Sequence, residues 1–190
     1  MSRKAEVIER TTVYDGYFPL DEVKFRHTRF DGSMSAPVGR IVLNVGEVVA
    51  GLILKPEDRK VVLIEQFRLP ATMNDDGWLI EIVAGRVDAG ETTEEAFRRE
   101  TREEAGYEIS NLRPVHRFYP AAGTMAEHMT LYVAEAAKKV SPGGGTDEDE
   151  DIRVIEWDYD TFFAALDAGK IVDAKTLVAG LWLWRTEHSR

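Results

Sequence analysis

Residues with a period of two open the readable part of the chain. Val23, Phe25 and His27 alternate with Lys24, Arg26 and Thr28, the pattern of a half-buried strand. Asp31-Gly32-Ser33 reads as a turn, and Val38 to Val45 is extended again. Val48 to Leu54 and Val61 to Phe67 are short, β-branched and apolar, bounded by Pro56-Glu57-Asp58 and Pro70; they predict two buried strands joined by a turn. Trp78 to Ala84 predicts a further strand, stopped by Gly85. From Thr92 to Ala105 the period lengthens to that of a helix. Thr92 and Glu95 form a capping box, and Gly106 supplies the C-terminal stop. Val115 to Tyr119 and Met129 to Ala134 read as strands around Ala121-Ala122-Gly123-Thr124, Ser141 to Asp151 as an acidic glycine-rich loop, and Ile152 to Trp157 as the last strand. Asp160 is the expected cap of a short helix ending near Gly169. Asp173 is the expected cap of a final helix with Leu177, Leu181 and Trp184 on one stripe, and Trp182 and Trp184 are expected to pack on the sheet. The order predicts an α/β sandwich with a mixed sheet over residues 41–190, preceded by an antiparallel β segment over residues 1–40.

Composition narrows the class. With 190 residues, 44% hydrophobic and 31% charged, the chain can bury a sizeable core and is not disordered throughout. Lys and Arg number 24 against 34 Asp and Glu, a formal charge of −10, so no nucleic-acid partner is expected. A small phosphorylated ligand is still compatible, because a bound divalent cation inverts the local field. Without cysteine there is no disulfide, thiolate zinc site or cysteine nucleophile, and the four histidines are scattered. Met1 to Arg10 lacks the apolar core of a signal peptide, and no stretch approaches the roughly 18 apolar residues of a spanning helix. A cytoplasmic protein with no membrane partner is expected.

The helix carries the candidate chemistry. Glu100, Glu103 and Glu104 stand at i, i+3 and i+4, on one helical face. Like charges at that spacing cost an isolated helix roughly 0.2–0.5 kcal/mol per pair, a cost that a cation would relieve. Mg²⁺ takes hard oxygen ligands and is commonly held by few carboxylates together with substrate phosphates. Alone, the three glutamates better describe a solvated acidic face bordered by Arg98, Arg99 and Arg102. Their surroundings decide between the two. Gly85, five residues, Glu91, seven residues, then Arg99-Glu100-Thr101-Arg102-Glu103-Glu104-Ala105-Gly106-Tyr107 resembles the Nudix box. Thr101, where the pattern has an aliphatic residue, is the one clear departure, and Tyr107 is a milder one.

That resemblance implies an enzyme that hydrolyses a nucleoside diphosphate linked to another moiety, with Mg²⁺ or Mn²⁺ as cofactor. It implies Glu100, Glu103 and Glu104 as metal ligands, with the backbone carbonyl of Ala84. Glu91 and Arg99 would hold the box together by ion pairing, with Gly85 and Gly106 as its structural glycines. Further stretches, Val62 to Arg68, Trp78 to Gly85, Glu148 to Ile152 and Gly169 to Thr176, resemble the branch containing ADP-ribose and GDP-mannose pyrophosphatases. In that branch an N-terminal β segment forms part of a homodimer.

Four residues outside the box are further candidates, three of them with two readings each. Arg68, at a strand end before Pro70, is either a phosphate-binding guanidinium or a surface ion pair. Glu81 is either near substrate or metal, or a solvent-facing strand residue. Glu150 resembles the glutamate that acts as general base just before an Asp-Ile pair, although acidic glycine-rich loops are usually only solvated. Glu127, beside the Ala-Ala-Gly-Thr loop, competes for that role. The resulting expectation is a nucleoside diphosphate sugar pyrophosphohydrolase; the alternatives are a non-catalytic nucleotide-sensing module of the same fold and a scaffold protein with an acidic helix.

Overall fold

A computed structural model describes residues 3–146 and 150–189. The chain clusters into two compact units: residues 3–46 with 119–128, and residues 47–118 with the described residues from 129 onward. Among the described residues, no helix is long and apolar enough to cross a membrane.

The first unit is built on an antiparallel sheet of β1 (Ala5–Tyr14), β2 (Leu20–His27) and β3 (Val38–Leu43), paired in chain order. Asp21 is its buried polar anchor, accepting hydrogen bonds from Thr12 Oγ1 at 2.8 Å and Asn44 Nδ2 at 2.7 Å and pairing with Arg10. The Thr12 and Asn44 bonds hold its carboxyl below the usual range despite its burial. The segment 119–128 joins this unit through Leu43, which donates its N–H to the Thr124 carbonyl and accepts from the Ala126 N–H, both at 2.9 Å. β1 is exposed along its whole length, including Val7 and Val13.

The second unit holds β4 (Glu47–Lys55), β5 (Lys60–Phe67), β6 (Trp78–Glu81), β7 (Val83–Arg86), β8 (Tyr107–Phe118), β9 (His128–Lys139) and β10 (Ile152–Asp158). Its helices are α1 (Thr93–Glu100), α2 (Tyr159–Asp167) and α3 (Ala174–His188). The main strand order is β10-β5-β4-β9-β8. β4 and β5 form the expected hairpin, pairing Ile53–Lys55 with Lys60–Val62, and then diverge. β6 pairs with the far half of β5 and β7 with the near half of β4, filling the wedge.

The single strand expected over Trp78–Ala84 is therefore broken at Ile82. Its N–H leaves the ladder and is donated to Thr176 Oγ1 at 2.8 Å, and Gly85 lies inside β7 instead of ending a strand. β8 starts at Tyr107, eight residues before the expected Val115. Register shifts and a left-handed Asn111 (φ 50°) had erased the alternation there. The cap of α2 is Asp158, which accepts from the Thr161 N–H at 2.8 Å, and Asp160 sits in the first turn. Asp173 caps α3 as expected.

Mid-strand residues of β4 and β5 are buried on both faces. One face carries Val49, Ile53, Val62 and Ile64 against Ala96 and Phe97 of α1, with the Phe97 ring stacked on Tyr132. The alternate residues Ala50, Leu52, Val61 and Leu63 point the other way, and α3 packs on β4 and β6 while α2 packs on β5 and β10. Helices on both faces make this an α/β sandwich. The expected stripe of α3 is reversed: Leu177, Leu181 and Trp184 are exposed, and Thr176, Ala179, Gly180 and Leu183 are buried. Small residues allow α3 to approach α2 closely, as an added side chain at position 180 would strike Leu166 and Phe162. Trp182 lies under the guanidinium of Arg113 in β8, against the sheet as expected, whereas Trp184 stacks on His188 and is exposed.

Candidate active site

α1 begins with both halves of the capping box: Thr92 Oγ1 accepts from the Glu95 N–H at 3.2 Å and Glu95 accepts from the Thr92 N–H at 2.8 Å. The α geometry lasts only to Glu100. Thr101–Ala105 continue as a π turn, ended by Gly106 in the left-handed region (φ 73°). The continuous α-helix expected over Thr92–Ala105 is thus interrupted where the acidic residues stand, a feature frequent at functional sites. Thr101 occupies the aliphatic position of the motif and is fully buried; its hydroxyl has no hydrogen-bond partner among the described residues.

Arg99 organises the acidic residues. Nε and Nη2 each reach a Glu91 oxygen at 3.1 Å, Nη2 also donates to the Arg86 carbonyl at 3.0 Å, and Nη1 reaches Glu100 at 2.7 Å and Glu103 at 3.2 Å. Gly85 lets Glu100 lie flat on β7, since a Cβ there would fall 2.0 Å from the Glu100 carboxyl carbon. Glu104 is 5% exposed and accepts from the Ala84 N–H at 3.3 Å. Burial, reinforced by the neighbouring Glu100 charge, pushes its carboxyl up to about 8. Burial also raises Glu100, against the opposing pull of Arg99, and the charge of Glu150 bears on both glutamates.

A second ionic group stands beside the first. Arg68 donates from Nε and Nη2 to the two oxygens of Glu81, at 2.9 and 2.8 Å, and Lys175 Nζ reaches Glu81 at 2.6 Å and Asp173 at 3.0 Å. Glu81 is 1% exposed, which overturns the solvent-facing reading. Burial alone would raise its carboxyl, and Arg68 and Lys175 outweigh burial to hold it below the usual range. The Arg68 charge also acts on Glu104. Lys175 and Thr176 escaped notice as site residues because their partners lie 94 positions away. The available signal was a lysine and a threonine in the first turn after the Asp173 cap.

Glu150 accepts from the Thr146 N–H at 2.9 Å; residues 147–149 of the acidic stretch lie outside the described residues. Glu127 is buried and belongs to the first unit.

Among the described residues no three Asp, Glu or His side chains are already gathered as a metal cage, since Arg99 holds Glu100 and Glu103. The donor set nevertheless fits a hard divalent cation. Mg²⁺ needs only a few carboxylates beside water and phosphate oxygens, and it would bring positive charge to Glu104, raised by burial and by the Glu100 charge, and to the half-buried Glu100, raised by burial and by the charges of Glu103 and Glu150.

A NUDIX domain model matches residues 46–176, which include every element of this arrangement. The chain belongs to the Nudix family. Among its Nudix relatives is the ADP-ribose pyrophosphatase of Escherichia coli strain K12, 38% identical over 181 residues, covering 94% of this chain and 87% of that one. The GDP-mannose pyrophosphatase of Cronobacter sakazakii is 35% identical over 182 residues, covering 94% of each. The fold is similar to the crystal structure of an ADP compounds hydrolase, with a TM-score of 0.75, 19% identity and coverage of 98% of this chain and 97% of that one.

Two outcomes follow for the Nudix box. In EDTA, the folded chain keeps a proton on Glu104 up to about pH 8, whereas the unfolded chain loses it near 4.5. The folded state then binds more protons across that window, so stability falls as pH rises through it. Urea denaturation at about pH 6 and about pH 8.5 should show the fall, and Glu104→Gln should flatten it. Thr101→Val keeps the shape and removes the orphaned hydroxyl, so it should stabilise the protein by about 1 kcal/mol in the same assay.

Proposed function

We propose that this chain is a metal-dependent pyrophosphohydrolase acting on a nucleoside diphosphate sugar, with ADP-ribose and GDP-mannose as the leading substrates. The observation that carries this reading is the buried Glu104 beside the half-buried Glu100, with the Arg68 charge acting on Glu104, within a Nudix box. The names of the two relatives agree on pyrophosphate cleavage and differ in base and sugar, which supports the class and leaves both substrates to be ranked.

Glu100, Glu103 and Glu104, with the Ala84 carbonyl, would hold Mg²⁺ or Mn²⁺, which supplies Lewis acidity and neutralises charge on the diphosphate. The chain's own groups do the rest. Water attacks one phosphorus, the bond to the bridging oxygen breaks, and a nucleoside monophosphate and a sugar phosphate leave. Glu150 accepts the proton of the attacking water, a role supported by the reach of its charge to Glu100 and Glu104. Arg68, oriented by Glu81, binds phosphate oxygens and offsets the charge that develops on them. Nucleotide sugars are charged solutes that do not cross bilayers unaided, so the cytoplasm is the proposed location.

Purified protein with Mg²⁺ should consume ADP-ribose or GDP-mannose, lose activity in EDTA and regain it with excess Mg²⁺. Glu104→Gln should lower kcat roughly a thousandfold, several kcal/mol of transition-state stabilisation at about 1.36 kcal/mol per tenfold. Glu95→Gln, in the capping box, should leave kcat unchanged and cost only modest stability. A nucleotide-sensing module would bind these compounds without turnover.

A homodimer formed through the first unit completes the proposal. It is supported by the exposed β1 and by Val7, Val13 and Ile41, apolar side chains left on the sheet surface. Light scattering should give about twice 21.4 kDa; a monomer at micromolar concentration would refute it.

A further inference from the structure

The last carbonyls of any helix lack partners within the helix. Here four consecutive ones find them in a single distant segment. Gly145 donates its N–H to the Glu103 carbonyl at 3.1 Å, and Gly144 donates to the Glu104 carbonyl at 2.9 Å. Lys139 Nζ donates to the Ala105 carbonyl at 3.0 Å while lying 4.4 Å from the centre of the Tyr107 ring. Val140 and Ser141 donate to the Gly106 carbonyl at 2.8 and 3.3 Å.

We infer that Lys139–Gly145 is a positioning clip for the reaction, fixing the backbone from which Glu103 and Glu104 project. The inference rests on the functional reading above. The π turn is closed by the Gly106 N–H on the Thr101 carbonyl, which leaves the carbonyls of Glu103 to Gly106 to be matched from outside the helix. Lys139 adds a cation at the negative end of the helix, where its charge is favourable.

Glycine is required within the clip for two separate reasons. Gly143 and Gly145 are both left-handed, at φ 78° and 87°. Their α-carbons are also crowded: a Cβ on Gly143 would meet the Glu104 carbonyl oxygen at 2.4 Å, and one on Gly145 would lie 2.6 Å from the Glu150 Cβ. The same loop thus abuts both the metal-binding turn and the proposed base. Neither Lys139 nor the glycines need touch substrate; they act through the glutamates.

The test separates crowding from backbone strain. Gly169 is also left-handed, at φ 68°, but a Cβ there meets nothing within 4 Å, so Gly169→Ala carries the strain alone. Mn²⁺ affinity, read by electron paramagnetic resonance, and steady-state kinetics with ADP-ribose and Mg²⁺ are measured on the full chain. Gly143→Ala and Lys139→Met should weaken Mn²⁺ binding roughly tenfold, in the range found for groups that orient metal ligands. They should lower kcat more than they change KM, and Lys139→Arg should recover most of the loss. Gly169→Ala should lower the melting temperature without moving Mn²⁺ affinity. Should Gly143→Ala fail to fold, Lys139→Met decides alone. Wild-type Mn²⁺ affinity in folded Gly143→Ala or in Lys139→Met would overturn the clip. A wild-type protein that binds Mn²⁺ but cleaves no nucleotide sugar would instead overturn the functional reading, and the Mn²⁺ titrations would still decide the clip.

Discussion

Carboxylates brought together out of water repel one another and lose hydration, and the second unit is organised around that penalty. Glu104 and Glu100 are partly relieved by a backbone N–H and by Arg99, and the relief is incomplete, as the high proton affinity of Glu104 records. Everything adjacent has the geometry that this tension demands. Gly85 has no side chain because Glu100 occupies the space, and Arg99 spans Glu91, Glu100, Glu103 and the Arg86 carbonyl because no smaller cation could. The incomplete relief suits the proposed metal role, since a site already neutralised by protein cations would have little affinity for a divalent ion.

The Arg68–Glu81–Lys175 group solves a different problem. A long guanidinium loses conformational freedom when it binds a phosphate, and pairing both Glu81 oxygens in advance removes much of that loss. Removing Arg68 would leave the buried Glu81 carboxylate to Lys175 alone, which costs more than the exposed end of the pair contributes. Lys175 and the Thr176 hydroxyl, both from the first turn of α3, tie this arrangement to the broken edge between β6 and β7.

Features written locally were legible in the chain. The capping box, the β4–β5 hairpin and the Asp173 cap depend on residues a few positions apart, and each formed as read. The acidic cluster and its glycines were legible because the Nudix pattern is long and specific. Features decided by distant partners were not. The break at Ile82 depends on Thr176, and the burial of Glu81 depends on Lys175, neither of which is signalled near the strand. The π turn keeps the residue spacing of an α-helix and so leaves no periodic trace. In α3 the large apolar residues predict the wrong buried face, because a helix packed closely on its neighbours buries Ala179 and Gly180.

The chain visits the first unit twice, once at its beginning and again between β8 and β9. Sequence order and structural autonomy therefore diverge. A shortened chain starting at Glu47 would retain the whole Nudix box yet carry an orphaned excursion, residues 119–128, whose Thr124 carbonyl and Ala126 N–H are matched to Leu43. A cut at that apparent boundary would likewise separate Leu43 from the two backbone groups it pairs with.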